Sequence, residues 1–289
     1  MITKANFTKF EPIVLSAIDE LFEVCIKNEC HPNEFLIFLE NGHYDNTISN
    51  QLFSPFLIGQ GLAGAKDGDR MSFVEFYLDF PFEQRIIELN KEPNSNSLQN
   101  EFDVRIISTS ISMMVYTHFW ESKVFQRTLR LLAKLSIGEE YDWHLNDQPK
   151  EVYFYIRDKI RNIFKENNLM IYDIIKSAYR SQIRDAFAHS DYFISDRKIY
   201  LENFSPTLEH SKQFISYDEF DEIIIKTILL HHCIVTKIDE YRHKLGLEKP
   251  DREIYVPENG GTIKTLHYRK AGHDKNGNDF YRWLWPNQF

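Results

Sequence analysis

Apolar residues recur every three or four positions through much of this chain, which is the signature of amphipathic helices. Residues 11–28 carry Ile13, Val14, Ala17, Leu21, Val24 and Cys25 at that spacing, and HPNEFLIFLENG predicts a short helix ending at Gly42. MSFVEFYLDF alternates loosely, as a strand would. NKEPNSNSLQN (90–100) is polar apart from Leu98 and reads as a linker. Beyond it, 103–137 forms one long helical pattern closing at Gly138, and 152–166 a second, with Val152, Tyr155, Ile156, Ile160 and Ile163 on its apolar side. A third helix is expected from about 170 to 189. The fourth begins after Ser216, where Ser216 and Glu219 make a capping box.

Four helices with modest connections imply a bundle. YFISDRKIYL inserts a small hairpin around Asp196, and the tail offers hairpin turns at Asn259-Gly260 and Asn276-Gly277. The expected architecture is mainly α: residues 1–100 of unassigned, mostly helical fold, a helical bundle over 101–247, and a hairpin-rich tail over 248–289.

Composition narrows the class without naming a function. The 289 residues carry 34 Lys+Arg against 43 Asp+Glu, a formal charge of −9, so any nucleic-acid contact has to come from a local basic patch. From 152 to 190 seven Lys/Arg face four Asp/Glu, a local +3. Glu11, Asp19 and Glu20 interrupt any signal-peptide core, and IIIKTILLHHCIV falls short of the ~20 residues that span a bilayer. A cytoplasmic protein without a membrane partner is expected. Three cysteines without framework spacing read as free thiols. Cys25, Cys30, His31 and Cys233 are zinc-type ligands, but no C-x-x-C pair is present, so Cys25 and Cys233 read as core residues and no metal or cofactor is expected.

The stretch RDAFAHSDY (184–192) carries the candidate chemistry. Arg184 and His189, five apart, point about 140° from each other on an ideal helix, so one helix does not converge both on a small substrate. Arg180 and Arg184 share a face as a basic ridge, although Arg184 could simply pair with Asp185, Asp191 or another surface acid. On the first long helix, His118 and Glu121 lie three apart and could line the same cleft and orient Arg184, though such a pair more often makes a solvated or structural contact, the favoured reading. GQGLAG (59–64) is a literal G-x-G-x-x-G, but AKDGDR after it is poor helix material, which argues for a loop. Of the adjacent His231 and His232, one should face the core. The tail mixes Lys264, Arg269 and Lys270 with Tyr268, Trp283 and Trp285, a combination that suits stacked RNA bases or, more simply, packing onto its own domain.

Arg184-Asp185-x-x-x-His189 resembles the R-x4-H signature of the HEPN superfamily, in which Arg, a polar residue, small or apolar residues and His close the third helix of a four-helix bundle. The resemblance covers roughly 101–247. It implies a metal-independent endoribonuclease of single-stranded RNA, with Arg184 and His189 catalytic, Asp185 and Arg180 in support, and the site assembled across a homodimer. In that chemistry a 2′-OH attacks the adjacent phosphate. Histidine moves the proton, and a guanidinium stabilises the developing charge. A defence or toxin-like role, with an antitoxin or other regulatory partner, would follow from the family. One toxin branch places x-Tyr after the histidine, whereas here Ser190 and Asp191 precede Tyr192. The alternative that the resemblance leaves open is a catalytically silent module binding a nucleotide or a protein.

Overall fold

The computed structural model describes residues 4–45, 55–58, 84, 87, 88, 90, 91, 96–145, 151–208, 210–273 and 279–285. The strand expected in MSFVEFYLDF, the GQGLAG stretch and the Asn276-Gly277 turn lie outside them. The chain is mainly helical with small antiparallel sheets. In order, the elements are α1 (Lys4–Lys27), α2 (Glu34–Leu39), β1 (His43–Tyr44), β2 (Phe56–Leu57), α3 (Ser97–Trp120) and α4 (Lys123–Ser136). Then comes α5, whose first turn Val152–Phe154 and last turns Asn162–Glu166 are α-helical around a π-helical middle, Tyr155–Arg161. It is followed by α6 (Ile171–Ala178), α7 (Ser181–His189), β3 (Tyr192–Ile194), β4 (Lys198–Leu201), β5 (Phe214–Ser216), α8 (Tyr217–Glu248), β6 (Asp251–Val256), β7 (Thr262–His273) and β8 (Asp279–Leu284). Among the described residues no helix is long and apolar enough to cross a membrane.

Two compact units interleave along the sequence: one comprises 1–14, 69–122 and 173–231, the other 15–68, 123–172 and 232–289. In the first unit, α3, α6, α7 and the N-terminal half of α8 bury Tyr116, Phe119, Trp120, Ile175, Ala178, Ile183, Ala186, Ile224 and Ile228. Trp120 sits at the centre, donating its indole N–H to Thr227 Oγ1 at 3.2 Å and packing 4.7 Å from the Tyr179 ring. The sheet β3–β4–β5 pairs antiparallel throughout and turns Ile199, Leu201 and Ile215 inward.

Several boundaries differ from those the periodicity predicts. The pattern over 103–137 is two helices, interrupted at Glu121–Ser122, and the second starts just after Ser122, a residue type suited to capping it. The helix expected over 170–189 is also two, interrupted at Tyr179 and Arg180. α1 begins earlier than residue 11, and α3 takes Leu98, Gln99 and Asn100 from the stretch read as linker, with the Asn96 side chain accepting from Gln99 N–H. The fourth helix starts as its sequence dictates: Ser216 Oγ accepts from the Glu219 N–H at 3.2 Å.

In the second unit, Phe22 meets Phe35, Phe38 and Tyr241 edge-to-face, and Phe35 and Phe38 stack on each other. Cys25 and Cys233 are buried, and Cys30 is exposed with its thiol donating to the Gly138 carbonyl at 2.8 Å. The tail is a three-stranded sheet, β6–β7–β8, turning at Glu258–Gly260. Trp283 is fully buried and Tyr268 and Trp285 nearly so, while Lys270 pairs with Asp279 and Arg269 with Asp251. Tyr268, Trp283 and Trp285 thus pack on the chain itself, while Tyr281 is exposed. The Tyr268 ring lies so close to α8 that a Cβ at Gly246 would fall 2.3 Å from it.

Candidate functional site

The site grows from helix α7, nine residues long. Ile183 and Ala186 turn fully into the first unit's core, so the helix has one buried side and cannot roll. Its start is set by a break. Arg180 is extended (φ −130, ψ 100), so the backbone leaves the helical path between α6 and α7. A break inside a packed unit strands backbone groups that a continuous helix would pair. Tyr116, fully buried on α3, takes up the Arg180 N–H: its hydroxyl accepts from it at 2.6 Å and donates to the Arg180 carbonyl at 3.1 Å, which also accepts from the Ile183 N–H at 3.1 Å. Burial pushes the Tyr116 hydroxyl well above the usual phenol range, so it stays a neutral donor.

The end of α7 is equally defined. Ser190 takes the left-handed conformation (φ 59, ψ 29), its N–H bonds to the Phe187 carbonyl, and Asp191 N–H bonds back to the Ala186 carbonyl at 2.8 Å. That pair of bonds is a Schellman closure. His189, the last helical residue, is left exposed.

Arg184 lies in the middle. Its side chain is only 15% exposed and is held by acids on two helices. Nε and Nη2 both donate to Asp185 Oδ1, at 3.0 and 2.6 Å, and Nη1 stands 3.2 Å from Glu121 Oε1 at the end of α3. The contact to Glu121 is ionic but not aligned as a hydrogen bond, so the buried Nη1 lacks an aligned acceptor. Burial works against the guanidinium charge, but the hydrogen bonds to Asp185 and the charges of Asp185 and Glu121 outweigh it and hold the group above its ordinary range. A guanidinium has five N–H donors and Asp185 uses two of them.

The structure therefore brings Arg184, Asp185 and Glu121 together. His118 is exposed one turn before Glu121 on α3. Arg180 does not share a helical face with Arg184, because it stands in the extended break. It is exposed and lines a groove of about 400 Å³ with Phe10, Ile13, Asp173, Lys176 and Lys226. The expected basic ridge is thus interrupted, and its inner arginine is already paired with acid. Tyr192 opens β3, half-buried, with its ring 6.1 Å from Phe187. His231 is the core member of the histidine pair, 4.8 Å from the Phe119 ring, and His232 is exposed.

Sequence reasoning missed Tyr116, which fixes where α7 begins, and the aromatic face of β3–β4–β5 described below. The described residues contain no group of three or more His, Cys, Asp or Glu placed to hold a metal. No family model, no curated protein and no solved structure matches this chain.

Proposed function

We propose that this chain is a HEPN-type endoribonuclease acting on single-stranded RNA without a metal, with the site completed by a second copy. The reading rests on the resemblance of Arg184–His189 to the family signature. One observation carries it: a single short helix holds a guanidinium fixed by two carboxylates, with an Nη1 that lacks an aligned acceptor, and ends in a solvent-facing histidine. A pre-positioned donor costs no reorganisation when negative charge develops on phosphorus. His189 supplies the proton acceptor for the 2′-OH and the donor for the departing 5′-oxygen. Asp185 sets the guanidinium plane, Glu121 at the end of α3 holds the place a phosphate would take beside Nη1, and Arg180 offers a second cation for the backbone. A two-fold axis removes the angular conflict between Arg184 and His189, because each can meet its counterpart from the other copy.

A second reading, a silent module binding a nucleotide or a protein, is favoured by the same arginine. At 15% exposure, with two acids beside it, Arg184 has its charge already matched. Incubating purified protein with single-stranded RNA in excess EDTA and analysing the product ends separates the two. Cleavage leaving 2′,3′-cyclic phosphates supports the nuclease, and intact RNA supports the silent module.

A further inference from the structure

The sheet β3–β4–β5 has a buried face and an exposed one, and the exposed face carries a row of aromatic rings. Its register sets Phe193 opposite Tyr200 and Tyr200 opposite Phe214, so the row crosses all three strands. Phe193 and Tyr200 stack 4.4 Å apart and 7° from parallel, and Tyr200 lies 6.2 Å from Phe214. Phe193 and Phe214 remain 48% and 45% exposed. Lys198, on the same face, holds its ammonium 3.6 Å from the Phe214 ring centre and 4.8 Å from that of Tyr200. None of the three strands contributes a carboxylate.

A contiguous exposed row of large rings marks a surface with a partner. β3 is an edge of the sheet, and Tyr200 stacks on one side of Phe193, leaving the ring array open at that end. An apolar peptide laid here would cover the Lys198 ammonium without giving it an acceptor. A nucleotide supplies both needs: a base to extend the stack and a phosphate for the ammonium.

We infer that the Phe193–Tyr200–Phe214 face is a stacking platform for the bases of single-stranded RNA, with Lys198 as its backbone contact. The choice of RNA rests on the ribonuclease reading above. The platform is also bolted to the helix that bears the candidate catalytic residues. Gln182 of α7 donates to the Lys212 carbonyl at 2.8 Å and accepts from the Lys212 N–H at 2.9 Å, just before β5. Asn203, just after β4, donates to the Gln182 carbonyl at 2.9 Å, and Glu202 N–H bonds to the Asp191 carbonyl at 2.8 Å. Phe193 follows His189 by only four residues. A strand stacked here is therefore held in fixed geometry to the end of α7.

The test is equilibrium binding of a short 5′-fluorescein single-stranded RNA in EDTA, read by anisotropy, in a His189→Ala background that keeps the probe whole. Phe193→Ala and Phe214→Ala should each raise Kd by roughly 5- to 100-fold, the effect of losing one base–ring stack, while Phe193→Trp keeps the affinity. Far-UV circular dichroism confirms that each variant is folded. Unchanged Kd in folded Phe193→Ala and Phe214→Ala overturns the platform, as does absence of binding by the parent. A change in oligomeric state with unchanged Kd overturns it in favour of a second copy on this face. The two proposals fail separately: binding lost in Phe193→Ala by a chain that never cleaves RNA keeps the platform and removes the nuclease, and cleavage with unaltered Phe193→Ala binding does the reverse.

Discussion

The hydroxyl of Tyr116 and the backbone of Arg180, 64 residues apart in sequence, satisfy each other in both directions, the hydroxyl accepting from N–H and donating to C=O. This one side chain makes the interruption between α6 and α7 tolerable in a packed unit, and so sets where the helix carrying Arg184 and His189 begins. Tyr116→Phe keeps the ring and strands the Arg180 N–H, while the Arg180 carbonyl keeps the Ile183 N–H at 3.1 Å. It should cost about 1–3 kcal/mol, seen as a lower urea midpoint with an unchanged slope. A loss below about 0.5 kcal/mol, the range of an ordinary surface change, would show that water replaces the hydroxyl at no cost.

Ser190 stands where a helix end usually takes glycine. The left-handed positions Asn33, Asn41 and Asn168 all carry the residue type that best tolerates that region after glycine, and Ser190 does not. It is exposed, so no packing is lost on truncation. Ser190→Gly should stabilise the chain by about 0.5–1 kcal/mol in chemical denaturation. Destabilisation would mean that the serine hydroxyl contributes more than the backbone strain costs.

Glu40 is 1% exposed, and its Oε1 lies 2.6 Å from Arg242 Nε without hydrogen-bond alignment. Burial outweighs the attraction of Arg242 and pushes the carboxyl up to about 7 from an ordinary 4.5. Between those values the folded chain holds a proton that the unfolded chain has released, so this group's contribution is fully present below about pH 4.5 and is lost as pH rises toward 7. Glu40→Gln cannot titrate. The variant's stability relative to the parent should therefore rise across that window, by an amount on the order of 3 kcal/mol. Parallel curves for the two proteins would show that Arg242 holds Glu40 ionised throughout.

Glu121 competes with any phosphate for Arg184. Its carboxylate is about half exposed, so the pair is worth only ~0.2–1 kcal/mol. In the ribonuclease reading, Glu121→Gln should lower the KM for RNA by roughly 1.4- to 5-fold while leaving the fold intact. A raised KM would mean that the acid positions the guanidinium for substrate.

Much of the helical layout is legible in the chain, because each long helix has one buried side and because the Ser216/Glu219 cap is a local device. The two interruptions are not. The one at Arg180 is satisfied by a hydroxyl 64 residues away, which no window of sequence contains. In α5 the π-helical middle fits an extra residue into the turn, so the buried series runs Ile156, Ile160, Phe164, and ideal spacing puts Ile163 where Phe164 belongs. At the site, the salt bridge between Glu121 and Arg184 fits either reading of the His118/Glu121 pair, a cleft lining or a structural contact. The pairing of Arg184 with Asp185 is the simpler of the two readings open to the arginine, and the motif itself reads the same whether the arginine is free or paired. The aromatic row escaped notice because Phe214 joins it from the far side of a connection, and only the pairing of β4 with β5 reveals the alignment.

In the proposed ribonuclease, Arg184 and His189 act together on RNA. The most direct measurement is the rate of single-stranded RNA cleavage in EDTA by the parent, His189→Ala and Arg184→Ala, each purified identically. Cleavage by the parent is expected, with a loss of about 100-fold or more in each variant, the scale on which a general acid–base or a transition-state donor contributes. Equal rates in all three, or none in the parent, would contradict the ribonuclease reading and leave α7 as part of a binding surface.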